Sequence, residues 1–209
     1  MKRNLFVIFG LFVVFSSGLY AQNRRDALVL YNNGNFKDAI EICAEEIKND
    51  PSRIDSYVVM CWSLVKNKEY ARAEQIGYDG LKINRYDIRL IEVIGEAKYY
   101  LGKNNEALKL FQEYLSLAPE KTAKRIGVAY YYVGEIYIRQ TKFQHADIAL
   151  SSAVRKEPLS DVWWTRLGYA REMAGNYDEA LDAYEAALKL NPGKSDAVRG
   201  KERVALHIR

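Results

Sequence analysis

The chain has 209 residues with 31 basic and 27 acidic side chains, a formal charge of +4. That balance excludes the basic footprint of a nucleic-acid binder. Its two histidines, His145 and His207, lie far apart with no Cys or His cluster near either, so no metal ion or other cofactor is expected.

Residues 1–21 differ from everything after them. Lys2 and Arg3 precede an apolar run, Leu5 to Phe15, and Ser16-Ser17-Gly18-Leu19-Tyr20-Ala21 leads to Gln22. This is the layout of a bacterial secretory signal peptide, with cleavage expected after Ala21. No cysteine follows the run, which argues against a lipid anchor, and the run is short for a membrane span. The mature protein is therefore expected to be periplasmic or secreted, with membrane attachment only through an uncleaved leader. About 188 residues then remain for one elongated domain.

From there on the chain keeps a ruler. Ala39, Ala73, Ala107, Ala146 and Ala180 are spaced 34, 34, 39 and 34 residues apart, and Pro51, Pro119, Pro158 and Pro192 fall on the same beat. A period in this range predicts stacked helical units. They span 20–53, 54–87, 88–121, 127–160 and 161–194. The first keeps Gly34-Asn35-Phe36, Ala39 and Pro51, with its first helix partly consumed by the leader; the second keeps Tyr57, Met60, Tyr70 and Ala73 and lacks the proline. The third has Ile91, Ile94, Gly95, Gly102, Ala107, Phe111 and Pro119. The fourth reads Tyr130-x-x-Val133-Gly134-x-x-Tyr137, then Ala146, Leu150 and Pro158.

The fifth unit is the clearest. Trp164, Leu167 and Gly168 share one helix face, Gly175-Asn176-Tyr177 turns the chain, and Ala180, Tyr184, Ala187 and Leu188 line a second helix that Asn191-Pro192-Gly193 stops. Trp164-x-x-Leu167-Gly168, Ala180-x-x-x-Tyr184 and Pro192 resemble the tetratricopeptide repeat, with Arg171 where Tyr is usual. The resemblance covers nearly everything after residue 22. It implies an all-α solenoid of about five helix-turn-helix units, capped by residues 195–209. In that cap Ala197, Val198, Ala205 and Leu206 are expected to cover the last repeat, with Arg199, Lys201, Glu202 and Arg203 facing water.

Two departures stand out. Five extra residues, 122–126, separate the third and fourth units with no turn residue between Glu120 and Gly127, so the fourth unit's first helix is expected to start about one turn early and project Lys121, Lys124 and Arg125 at the edge of the stack. Gly77 and Gly80 sit in a second helix where larger residues are usual; this is either a soft point or a close fit to a large neighbour, for which Trp62 is one candidate.

Cys43 and Cys61 fall at apolar repeat sites and are expected to be buried free thiols. No C-x-x-C, G-x-S-x-G, phosphate loop or H-E-x-x-H appears, so no enzymatic activity is expected. The resemblance implies that the first helix of each unit lines a concave groove where partner segments lie. On the face adjoining the core this places Val58 and Trp62, then Glu92, Glu96 and Tyr99, then Tyr131 and Glu135, then Tyr169. Aromatics anchor interfaces, and carboxylates among them would favour Lys or Arg on the partner. The Lys and Asn set with which chaperone adaptors of the family clamp a C-terminal carboxylate is missing.

The leading expectation is a non-enzymatic adaptor of the bacterial cell envelope that binds another protein, such as a component of an envelope machine, in this groove. The alternative is a small-molecule or lipid carrier with a pocket inside the superhelix. Self-association through the convex face is a third option.

Overall fold

The computed structural model describes residues 26–119 and 123–208. The leader, its expected cut and Lys121 lie outside these residues. Among the described residues every regular element is a helix. The pairs are α1 (Ala27–Asn32) with α2 (Phe36–Asn49), α3 (Ile54–Lys66) with α4 (Tyr70–Ile83), and α5 (Ile88–Tyr100) with α6 (Asn104–Leu117). Then come α7 (Ile126–Arg139) with α8 (Phe143–Lys156), α9 (Asp161–Met173) with α10 (Tyr177–Leu190), and the single α11 (Ser195–Ala205). None is long and apolar enough to cross a membrane.

The turn inside each pair has one construction. Gly34, Lys68, Gly102, Thr141 and Gly175 all take left-handed φ values of 57–84°. The residue after each one returns its N–H to a carbonyl five positions back, as Asn35 does to Leu30 and Lys142 to Tyr137, both at 2.9 Å. This closes the helix end. Glycine meets the geometry without strain at three of the five turns, whereas Lys68 and the β-branched Thr141 adopt it against their steric preference.

Three of the loops between pairs share a construction. Asp50, Asn84 and Asn191 each accept from the backbone N–H two residues on, at 3.0, 3.1 and 3.2 Å. Asn84 therefore supplies the turn in the unit that lacks the proline. Two of the prolines are tied down by an aromatic of the next helix: the Tyr57 hydroxyl donates to the Pro51 carbonyl at 3.1 Å and the Trp164 indole to Pro158 at 2.8 Å.

Successive first helices (α1, α3, α5, α7, α9, α11) touch one another, whereas the second helices of successive units do not approach. The first helices therefore form the inner, concave wall. They are correspondingly more buried: in α5 every residue from Leu90 to Tyr99 is buried, against Ala107, Leu110, Phe111 and Tyr114 in α6.

The Gly77–Gly80 segment is a regular part of α4, fitted closely by the next repeat. A Cβ on Gly77 would lie 2.4 Å from Ile94 Cγ1, and one on Gly80 2.6 Å from Leu90 Cδ1. The neighbours are Ile94 and Leu90, not Trp62. Cys43 and Cys61 are free and buried, and burial pushes the Cys43 thiol up to about 12. His145 is exposed on α8 beside Tyr137.

Two expectations are corrected. The first helix of the fourth unit does not gain a turn: α7 begins at Ile126, one residue ahead of Gly127, and residues 123–125 are not helical. Lys124 is exposed, but Arg125 turns inward, because two carboxylates on α5 claim its guanidinium. In the cap the covering face is Ala197, Gly200 and Val204, whereas Val198, Ala205 and Leu206 are exposed. The reason is Tyr184, whose ring is 1% exposed. A Cβ on Gly168 would come within 2.7 Å of that ring and one on Gly200 within 2.2 Å, so α11 meets α10 on its glycine face. Arg199, Glu202 and Arg203 face water as expected, with Lys201 half-buried.

Candidate partner-binding wall

The residues singled out from the sequence all lie on the wall of first helices, but they are less available than expected. Val58, Glu92, Glu96, Tyr99 and Glu135 are buried; Trp62, Tyr131 and Tyr169 are partly exposed. Trp62 packs against Tyr31 of α1 at 5.8 Å between ring centroids, and Tyr131 stacks on Trp163 of α9 at 5.3 Å with planes 12° apart. Tyr99 carries the Arg139 guanidinium 3.6 Å above its ring, and Tyr169 lies 5.1 Å from that of Arg166. Trp163 was not singled out from the sequence.

The carboxylates do not stand open for a partner's Lys or Arg. Each is matched by an arginine of the next repeat. Arg89 Nη1 reaches Asp55 at 2.7 Å, and Arg125 Nη2 bridges Glu92 at 2.8 Å and Glu96 at 2.7 Å. Arg166 holds Glu135 through Nε at 2.5 Å and Nη2 at 3.1 Å, and Arg203 holds Glu172 at 2.6 and 2.8 Å. Paired planar contacts of this kind fix geometry as well as charge. The sequence carried a signal for them: Asp55/Arg89, Glu135/Arg166 and Glu172/Arg203 are opposite charges about one repeat apart.

The most buried carboxylate of the wall is Glu92, held by Arg125. Glu92 is 1% exposed. Burial, the largest influence, pushes its carboxyl up to about 7 against the pull of Arg125. Glu96 beside it also accepts from the Tyr132 hydroxyl at 2.8 Å, and burial pushes that hydroxyl up strongly. At the far end burial raises Glu172 too, but Arg203 and Tyr184 more than offset it and hold the carboxyl low.

Between α3, α5 and the insertion lies a cavity of about 380 Å³, lined by Trp62, Ile88, Arg89, Glu92, Tyr114, Ala123, Lys124 and Arg125. Among the described residues no group of three or more His, Cys, Asp or Glu is placed to hold a metal ion.

A paired-helix repeat with a concave wall of first helices and a left-handed turn in every pair has a counterpart among known families. The model of the tetratricopeptide repeat matches residues 162–194. Residues 162–194 are thus a tetratricopeptide repeat, and the described residues fold as an all-α helical-repeat solenoid. Proteins of this fold generally mediate protein–protein interaction. The DnaJ homolog subfamily C member 7 homolog of Schizosaccharomyces pombe is 24% identical over 195 residues, 90% of this chain and 33% of its own length. The chain thus spans about a third of that relative.

Solved structures share the fold at low identity. PilF of Pseudomonas aeruginosa superposes with a TM-score of 0.75 at 14% identity, covering 87% of this chain and 80% of its own. MamA from Desulfovibrio magneticus RS-1 gives 0.68 at 17%, covering 80% and 92%. YrrB, described as a tetratricopeptide-repeat protein with an unusual peptide-binding site, gives 0.66 at 16%, covering 84% and 88%.

Proposed function

We propose that this chain is a non-enzymatic adaptor of the bacterial cell envelope, which holds a segment of a partner protein along the wall of first helices. The observation that carries the reading is the wall itself. It is continuous from α1 to α11, and it keeps Trp62, Tyr131 and Tyr169 partly exposed while its charges are matched within the chain. Partly exposed aromatics on a rigid support bury large area at little entropic cost. The signal-peptide layout of residues 1–21 supports the envelope location, and the peptide-binding description of YrrB supports the groove.

The test is capture from envelope extract with residues 22–209, beside a Trp62→Ala/Tyr131→Ala variant shown to fold by circular dichroism. A protein held by the first and lost by the second supports the reading. Equal capture by both moves the site off this wall. Capture of none, with a small molecule retained by the purified protein, replaces the adaptor with a carrier.

A further inference from the structure

Cavities of about 320 and 300 Å³ at the two ends of the wall have mixed polar and apolar surfaces, whereas the one of about 380 Å³ between α3, α5 and residues 123–125 is almost wholly apolar. The charged residues beside it have their head groups engaged elsewhere. The Arg89 guanidinium is held by Asp55 and Asp87, and that of Arg125 by Glu92 and Glu96. A charged occupant would leave water for a carbon surface, to which Ile88, Ala123, Trp62 and Tyr114 contribute.

The next repeat shows what the same face of a first helix takes. Ile88 and Glu92 lie one turn apart on α5 and correspond, 39 residues on, to Gly127 and Tyr131 on α7. Against those two residues of α7 sits the Trp163 indole of the following unit. It stacks on Tyr131 at 5.3 Å with planes 12° apart, a Cβ on Gly127 would lie 3.1 Å from its Cζ3, and Trp163 is only 9% exposed. The fourth unit carries Ala129 where the fifth carries Trp163, 34 residues on. That position therefore brings no ring to α5, and the space beside Ile88 stays open, with Ala123 of the insertion on another side. An apolar cavity of about 150 Å³ already holds a benzene ring, so phenyl and indole groups both have room. The Trp62 and Tyr114 rings in the lining favour a ring over an aliphatic chain of similar area.

We propose that this cavity is a subsite for one aromatic side chain of the partner segment, seated against Ile88 as the Trp163 indole is seated against Gly127 one repeat on. The inference rests on the groove reading above for the segment that delivers the side chain.

The test follows the Trp62 indole N–H by ¹⁵N NMR in the chain from residue 22, with the resonance assigned by Trp62→Phe. The probes are the N-acetyl N-methylamides of phenylalanine, leucine and glutamate, which share the main-chain amides and differ only at the side chain. A saturable shift with the phenylalanine compound, at concentrations about three- to tenfold below the leucine compound and with Overhauser contacts from its ring to the Ile88 methyl groups, supports the subsite. No shift with any of them, an equal response to phenylalanine and leucine, or ring contacts away from Ile88 overturns it. Peptides selected from a random library separate the two proposals. Peptides that bind the wall without reaching Ile88 leave the groove reading standing and remove the subsite. A response to the phenylalanine probe with no peptide selected keeps the subsite and removes the groove reading.

Discussion

Replacing Arg125 with Met tests whether the insertion pins the third repeat to the fourth. Arg125 bridges Glu92 and Glu96 at 2.8 and 2.7 Å, and Glu92 has no other partner among the described residues. Removing one member of a buried ion pair costs about 3–5 kcal/mol, chiefly because a buried charge is left alone. Arg125 keeps 36% of its side chain in water, so the lower end applies, about 3 kcal/mol at pH 8. For a chain of this size that lowers Tm by roughly 6–12 °C. The loss must depend on pH. The Glu92 carboxyl, raised from 4.5 to about 7, binds its proton more tightly folded than unfolded. The folded state therefore gains relative stability as pH falls through about 7 towards 4.5, and a protonated Glu92 has less need of Arg125. Thermal unfolding by circular dichroism at pH 8 and pH 5.5 should show the larger loss at pH 8. Adding Glu92→Gln and Glu96→Gln to Arg125→Met should recover most of it. An equal loss at both pH values, or no recovery in the triple variant, would refute a buried-charge origin.

Two smaller changes test the packing. Gly77→Ala should destabilise by about 1–2 kcal/mol, because its Cβ meets the immobile Ile94 Cγ1 at 2.4 Å and overpacking outweighs a helix-propensity gain of about 1 kcal/mol. In an Ile94→Ala background the same change should become stabilising; urea titration of the four proteins reads the reversal, and a gain in the parent chain would mean that α4 does not sit against α5 as described. Thr141→Gly should raise stability by about 1 kcal/mol, since a β-branched residue at φ 57° closes a turn that glycine closes elsewhere without strain. Any loss on that substitution, in the same titration, would count against the turn.

The helix stops and turns were legible where they rest on local chemistry. Pro51, Pro119, Pro158 and Pro192 stop helices wherever they occur, and Gly34, Gly102 and Gly175 mark turns. Thr141 and Lys68 close the same turn without the glycine signal, so only the period pointed to them. The cap was misread because its apolar pattern named Val198 and Leu206. The face was instead decided by the Tyr184 ring, which admits a helix only where it carries Gly200. Arg125 was misread for a similar reason. Nothing in Glu120 to Gly127 says that its side chain is claimed by carboxylates 29 and 33 positions earlier. The wall residues lie on the first helices, but what they touch depends on the neighbouring repeat.

That dependence bears on how the wall can recognise anything. Asp55–Arg89, Glu92 and Glu96–Arg125, Glu135–Arg166 and Glu172–Arg203 each join one first helix to the next unit. Four consecutive joints are thus closed by charge pairs across the inner wall, in addition to their apolar contacts. A partner bringing its own lysine or arginine would have to displace an arginine already held at two contacts, and would gain little net electrostatic energy for doing so. Selection is left to what the pairs do not occupy, the partly exposed rings of Trp62, Tyr131 and Tyr169. Binding through these groups should vary weakly with salt, because no exposed charge is neutralised. An affinity that falls steeply with ionic strength would instead place recognition on the outer surface, where charges of the second helices such as Lys109 of α6 are exposed.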